Sequence, residues 1–129
     1  MKYLLDTSTY IWFTDGDAQL STTARDLIED EESELFISIV TLWEIVIKQR
    51  LNKLDFSSDV TQMLADIQAL DATLLGIEPR HLQSLETLPA FPDHKDPFDR
   101  LLLSQAIADE LIVISSDRHF PSYPVQVQW

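Results

Sequence analysis

Leu111-Ile112-Val113-Ile114-Ser115-Ser116-Asp117 is a continuous apolar run that ends abruptly in two hydroxyls and an acid. Such a run fits a strand buried within a sheet, with a polar turn at its carboxyl end. The chain opens on the same pattern, Tyr3-Leu4-Leu5 running into Asp6-Thr7-Ser8-Thr9. Leu35-Phe36-Ile37 and Thr73-Leu74-Leu75-Gly76-Ile77 read as two further strands, and Val125-Gln126-Val127 as a last edge strand closed by Trp129. Helical patterns fill the intervals. Strands alternating with helices predict an α/β fold with a mainly parallel central sheet.

The helices carry their own signals. Tyr10-Ile11-Trp12-Phe13 forms a short apolar turn, broken by Asp15-Gly16-Asp17. Ser21 caps a helix through Ala24, Leu27 and Ile28, expected to fray where Glu29-Asp30-Glu31-Glu32-Ser33-Glu34 opposes its dipole. Ser38 to Lys53 reads as a helix with a capping box at Thr41-x-x-Glu44, and Lys48, Arg50 and Lys53 suit its C-terminal dipole. Asp59 to Leu70 is a further helix, with Met63, Leu64, Ile67 and Leu70 on one face. Pro79 opens a short helix carrying Leu82 and Leu85, with His81 on its surface. In His94-Lys95-Asp96-Pro97-Phe98-Asp99-Arg100, Asp96 is the N-cap and Pro97 the first helical residue; Leu101, Leu102, Ile107 and Leu111 give the core face.

The 129 residues, 45% of them hydrophobic, suit one domain spanning residues 1–129. There is no cysteine, which excludes disulfides and thiolate metal sites and fits a reducing cytoplasm. Lys2 precedes only three apolar residues before Asp6, too few for a signal sequence, and no apolar run approaches the ~20 residues of a membrane span. The net charge of −13 argues against a general phosphate-binding surface and permits a basic partner, or carboxylates clustered around cations.

The acids are therefore the residues to place. In a parallel sheet all strand carboxyl ends share one edge, where sites form at a topological switch point. Asp6 and Asp117 belong at strand ends; Glu44 and Asp99 belong in first helical turns beginning at that edge. Each alone has a structural explanation as a cap or turn residue. Glu44 is the least ordinary, falling in line with Val40, Ile47 and Leu51, where an unpaired carboxylate is costly to desolvate. Four converging carboxylates repel one another without cations. Oxygen-only ligands favour Mg²⁺ or Mn²⁺ over Zn²⁺, and such ions serve phosphodiester hydrolysis. Thr7, Ser8, Ser115 and Ser116 either orient ligands or cap turns. Lys95, Arg100 and Arg118 either hold substrate phosphates or pair with neighbouring acids. His94 and His119, poorly spaced and without a cysteine, do not read as zinc ligands.

Leu5-Asp6-Thr7, Ser38-x-x-Thr41-Leu42-Trp43-Glu44-Ile45, Asp96-Pro97-Phe98-Asp99-Arg100-Leu101-Leu102 and Ser115-Ser116-Asp117-x-x-Phe120 together resemble the PIN-domain family, most closely VapC toxins of type II toxin–antitoxin systems. One acid after a strand is a weak motif, whereas four blocks in this order are specific. The resemblance implies a three-layer α/β/α sandwich and a Mg²⁺- or Mn²⁺-dependent ribonuclease acting on RNA. It implies Asp6, Glu44, Asp99 and Asp117 as catalytic metal ligands, with Asp96 as cap beside Asp99. It also implies a cognate antitoxin that blocks the site, and a homodimer. Ser8 departs from the pattern, since His is common after Asp-Thr; this bears on substrate contact rather than on the metal site.

Two other classes compete. A phosphoacceptor receiver domain shares the size and the acids at strand ends, but needs paired acids after its first strand and a Lys after its last. Here Asp6 is followed by Thr7, and no Lys follows Val125. A catalytically silent binding module, its acids merely capping helices, is opposed by Glu44 within an apolar line.

Overall fold

The computed structural model describes residues 1–129. Its strands are β1 (Lys2–Leu5), β2 (Glu34–Ser38), β3 (Thr73–Leu75), β4 (Ile112–Ile114) and β5 (Val127–Gln128). The helices are α1 (Thr7–Asp15), α2 (Thr22–Glu29), α3 (Ile39–Arg50), α4 (Val60–Ala69), α5 (Pro79–Glu86) and α6 (Pro97–Ala108), with a 3₁₀ turn at Phe120–Ser122. The five strands form one sheet in the order β3-β2-β1-β4-β5, and every pairing is parallel. A receiver-type sheet runs 2-1-3-4-5; this order is different.

Alternation along the strands sorts the core into two layers. Tyr3 and Leu5 of β1, with Ile112 and Ile114 of β4, face a cluster that includes Ile11, Ala24, Ile28, Leu42, Ile45, Met63 and Ile67. Leu4 and Val113, between them, face Leu102, Leu103, Ala106, Phe120 and Tyr123. Helices α1 to α4 therefore cover one face and α5 and α6 the other, which is the expected α/β/α sandwich. Burial of both strand faces is why these segments are apolar without alternation. No helix is long and apolar enough to cross a membrane.

Caps fix where the helices begin, and so where the acids point. Asp6, Ser21, Ser38 and Asp59 each accept an N–H from the first turn of α1, α2, α3 and α4. Such a bond contributes about 1 kcal/mol. Gly16 ends α1 at φ 63°, the left-handed conformation that a Cβ disfavours.

Several expectations are corrected. The α3 cap is Ser38, three residues ahead of the expected capping box, so Glu44 lies in the second turn and not the first. The helix stops at Glu29 and the rest of the acidic run is an exposed turn: Asp30 Oδ1 accepts from Glu32 N–H at 2.9 Å, and Glu34 N–H donates to Met1 O at 2.9 Å as β2 begins. His81 is fully buried, not on the surface. Its Nδ1 accepts from Glu78 N–H, and its Nε2 meets Asp109 Oδ2 at 2.9 Å, which pins α5 to the end of α6. Leu103 takes the deep core position in α6 while Leu101 is only half-buried.

Candidate metal centre at the sheet edge

The carboxyl ends of β1 and β4 lie side by side where the strand order reverses, the position at which α/β sheets place their sites. A depression of about 250 Å³ opens there, lined by Asp6, Thr7, Ser8, Glu44, Lys48, Asp96, Asp99, Ser116 and Asp117. No apolar residue lines it, and five carboxylates face one ammonium. All four sequence-predicted acids converge.

Asp6 follows directly from β1 and caps α1: its Oδ1 accepts from Thr9 N–H at 2.9 Å. Its Oδ2 accepts from the Ser115 hydroxyl, which in turn accepts the Asp117 N–H at 3.0 Å. One hydroxyl thus couples the acids at the ends of β1 and β4. Burial pushes the Asp6 carboxyl above its usual range; the Ser115 and Thr9 hydrogen bonds oppose this and the charge of Asp117 adds to it.

Glu44 reaches the pocket from the second turn of α3. Its Oε1 accepts from the Thr7 hydroxyl at 2.7 Å, and Thr7 Oγ1 lies 3.2 Å from Thr41 Oγ1. Its Oε2 is held by the Lys48 ammonium one turn on. Lys48 lies in the last turn of α3, as its expected role toward the helix dipole requires, and pairs with Glu44 as well; the i,i+4 spacing is the sequence signal for that pair.

Asp96 caps α6 as expected. Asp96 Oδ1 accepts from Phe98 N–H at 2.8 Å and Asp99 N–H at 3.1 Å, which makes it the α6 cap. Asp99 is left free for the pocket, with His94 Nε2 3.1 Å from its Oδ2. Burial pushes the Asp99 carboxyl up to about 7, against the His94 bond and with help from Asp96, Glu44 and Asp117. Asp117 Oδ1 accepts from His119 N–H at 2.8 Å and lies 3.2 Å from His119 Nδ1.

Of the hydroxyls, Thr7 and Ser115 bond directly to acids, while Ser8 and Ser116 line the pocket exposed. Lys95, Arg100 and Arg118 form no ion pair, contrary to the simpler reading of them; Arg100 Nη1 donates to Pro89 O at 2.8 Å. Lys95 and Arg100 line a neighbouring depression with Phe91 and His94. Sequence spacing gave no hint that His94 and His119 would meet.

Solved structures of similar fold span the whole chain. VapBC2 from Rickettsia felis, bound to a DNA fragment from its promoter, aligns at a TM-score of 0.68 with 15% identity, covering 99% of this chain and 98% of that one. A toxin–antitoxin complex from Klebsiella pneumoniae gives 0.66 and 19%, covering 98% and 96%. VapC20 of Mycobacterium tuberculosis, a Sarcin-Ricin loop cleaving toxin, gives 0.61 and 17%, covering 93% of each chain. Among curated proteins no relative matches the sequence. The PIN domain family model matches residues 3–126, from the first residues of β1 to the last strand's approach, and so takes in all four acids. The chain belongs to the PIN domain family.

Proposed function

We propose that this PIN domain is an endoribonuclease that hydrolyses RNA phosphodiester bonds with Mg²⁺ or Mn²⁺, and that it serves as the toxin of a toxin–antitoxin pair. The observation that carries the reading is the pocket at the sheet edge, where five carboxylates meet a single ammonium with no apolar neighbour. A divalent cation relieves that repulsion, and an all-oxygen donor set selects hard ions.

Asp6, Glu44, Asp99 and Asp117, which all line the pocket, would hold the ion. A bound ion of this kind supplies an activated water and charge neutralisation at the leaving oxygen. The chain's own residues prepare the site. Ser115 and Thr9 orient Asp6, Thr7 orients Glu44, and Lys48 tempers the negative field. Lys95, Arg100 and Arg118 offer unpaired cations to RNA phosphates, local attraction that a chain of charge −13 otherwise lacks.

The structural neighbours support the biological setting. The Mycobacterium tuberculosis neighbour is described as a Sarcin-Ricin loop cleaving toxin, and the Klebsiella pneumoniae neighbour is a toxin–antitoxin complex. An antitoxin protein is accordingly the proposed partner, and a second copy of this chain is the further partner that the family resemblance implies. The test is cleavage of a mixed RNA substrate by purified protein with Mg²⁺, Mn²⁺ or EDTA, beside Asp6→Asn. Metal-dependent cleavage that the variant loses is the expected result. Neither cleavage nor metal binding by the wild type would overturn the reading.

A further inference from the structure

His94 and His119 lie face to face, ring centroids 5.0 Å apart and planes within 6°. Each offers one ring nitrogen to a pocket acid: His94 Nε2 to Asp99 Oδ2 at 3.1 Å, and His119 Nδ1 to Asp117 Oδ1 at 3.2 Å. Each rests its other nitrogen on a second oxygen. His94 Nδ1 is 2.7 Å from the Tyr123 hydroxyl, and His119 Nε2 is 3.5 Å from Asp93 Oδ2. Histidines that bind metals are held in this way, one nitrogen toward the ion and the other on an oxygen that fixes ring and tautomer. One donor atom from each of His94, Asp117 and His119 lies within 4.8 Å of the other two.

We propose that His94, Asp117 and His119 form a second cation site, for a borderline ion such as Zn²⁺, that overlaps the acidic pocket and competes with its Mg²⁺. Donors around a tetrahedral zinc with bonds of about 2.0–2.1 Å stand roughly 3.4 Å apart. The His119–Asp117 separation is already near that spacing. The three donors close to it by moving no more than about 1.5 Å, and His119 must turn out of the parallel stack so that both in-plane lone pairs meet one ion; Asp117 and His119 are only half-buried, which leaves room for that rotation. Nitrogen donors select zinc, whereas the all-oxygen pocket selects magnesium. Asp117 belongs to both sets, so the two ions compete for it. Sequence spacing had spoken against zinc; the fold removes that objection by bringing together two rings from distant segments. Zinc binding needs no nuclease activity. Only its consequence, inhibition of cleavage, rests on the function proposed above.

The test titrates the metal-free full chain with Zn²⁺ against a chromophoric chelator, and separately with Mg²⁺ by calorimetry, without RNA. The expected result is one Zn²⁺ per chain, with the Zn²⁺-to-Mg²⁺ affinity ratio lowered at least ~10-fold in His119→Gln. Co²⁺ in place of Zn²⁺ should give a visible absorption band that the variant loses. His94→Gln is the second variant, its fold checked by circular dichroism because the ring is buried. An affinity ratio unchanged in both variants overturns the zinc site, even if Mg²⁺-dependent cleavage is robust. Absence of cleavage overturns the nuclease reading and leaves a histidine-dependent zinc site standing.

Discussion

Lys48 holds one oxygen of the Glu44 carboxylate while the Thr7 hydroxyl, 2.7 Å away, holds the other. Both Glu44 oxygens are thus engaged before any ion arrives, and the ammonium is the only positive charge lining the pocket. Replacing Lys48 with Met keeps the aliphatic stem and removes that charge. Mg²⁺ affinity should rise about 3- to 10-fold, because a cation no longer competes for Glu44. Isothermal titration at neutral pH reads the change directly. A weaker site in the variant would show that Lys48 builds the pocket instead of competing with the ion.

Asp6→Asn should separate stability from metal binding. The carboxyl is buried and its charged form is disfavoured there. An amide of the same shape keeps the α1 cap and removes that penalty but gives up the hydrogen bond from Ser115, so the metal-free variant should match the wild type to within about 1 kcal/mol. Calorimetric melting in EDTA checks this. A melting temperature several degrees below wild type would contradict it.

Ser115 and Ser116 are adjacent hydroxyls with opposite expectations. The Ser115 side chain is buried and joins Asp6 to the Asp117 backbone; Ser116 is exposed. Ser115→Ala should cost ~10-fold or more in Mg²⁺ affinity, the usual effect of losing a group that orients a ligand. Ser116→Ala should change it much less. Equal effects would mean that Asp6 is positioned by its backbone alone.

Asp109 supplies the acid-range prediction. Its hydrogen bond from Arg80 chiefly, and that from His81 after it, hold its carboxyl below the usual range. A carboxylate with a lowered folded-state pKa adds stability above its unfolded pKa of ~3.9, and that stability is lost as pH falls through the folded value. Asp109→Asn should therefore cost about 1 kcal/mol near pH 7, and the gap from wild type should close as pH falls through the lowered folded-state pKa. Urea unfolding at a series of pH values measures it. A gap independent of pH would assign the loss to packing.

The layout of the fold was legible because it rests on local signals. Ile112-Val113-Ile114 fits a strand covered on both faces, and Ser21 and Asp96 stand where caps are needed. Leu101-Leu102-Leu103 could not be phased in the same way, since any of three adjacent leucines satisfies a helical period; packing against Leu4 and Val113 chose Leu102 and Leu103. His81 was misplaced because its partner, Asp109, lies 28 residues away and no period connects them. The convergence of the four acids followed from topology, because a parallel sheet gathers its strand ends. Their hydrogen-bond partners did not follow: Ser115 reaches Asp6 across 109 residues, and the stacking of His94 on His119 depends on the turn after β4.

The placement of β4 beside β1 also sets a timetable. Asp117 is made 111 residues after its neighbour Asp6, and the Ser115 hydroxyl that couples them 109 residues after it. Until both are made, a nascent chain therefore carries an incomplete set of ligands. On the proposed reading the polypeptide is harmless up to that point, and products truncated before Ser115 are born inert. Such a delay gives a co-expressed antitoxin time to be folded and waiting.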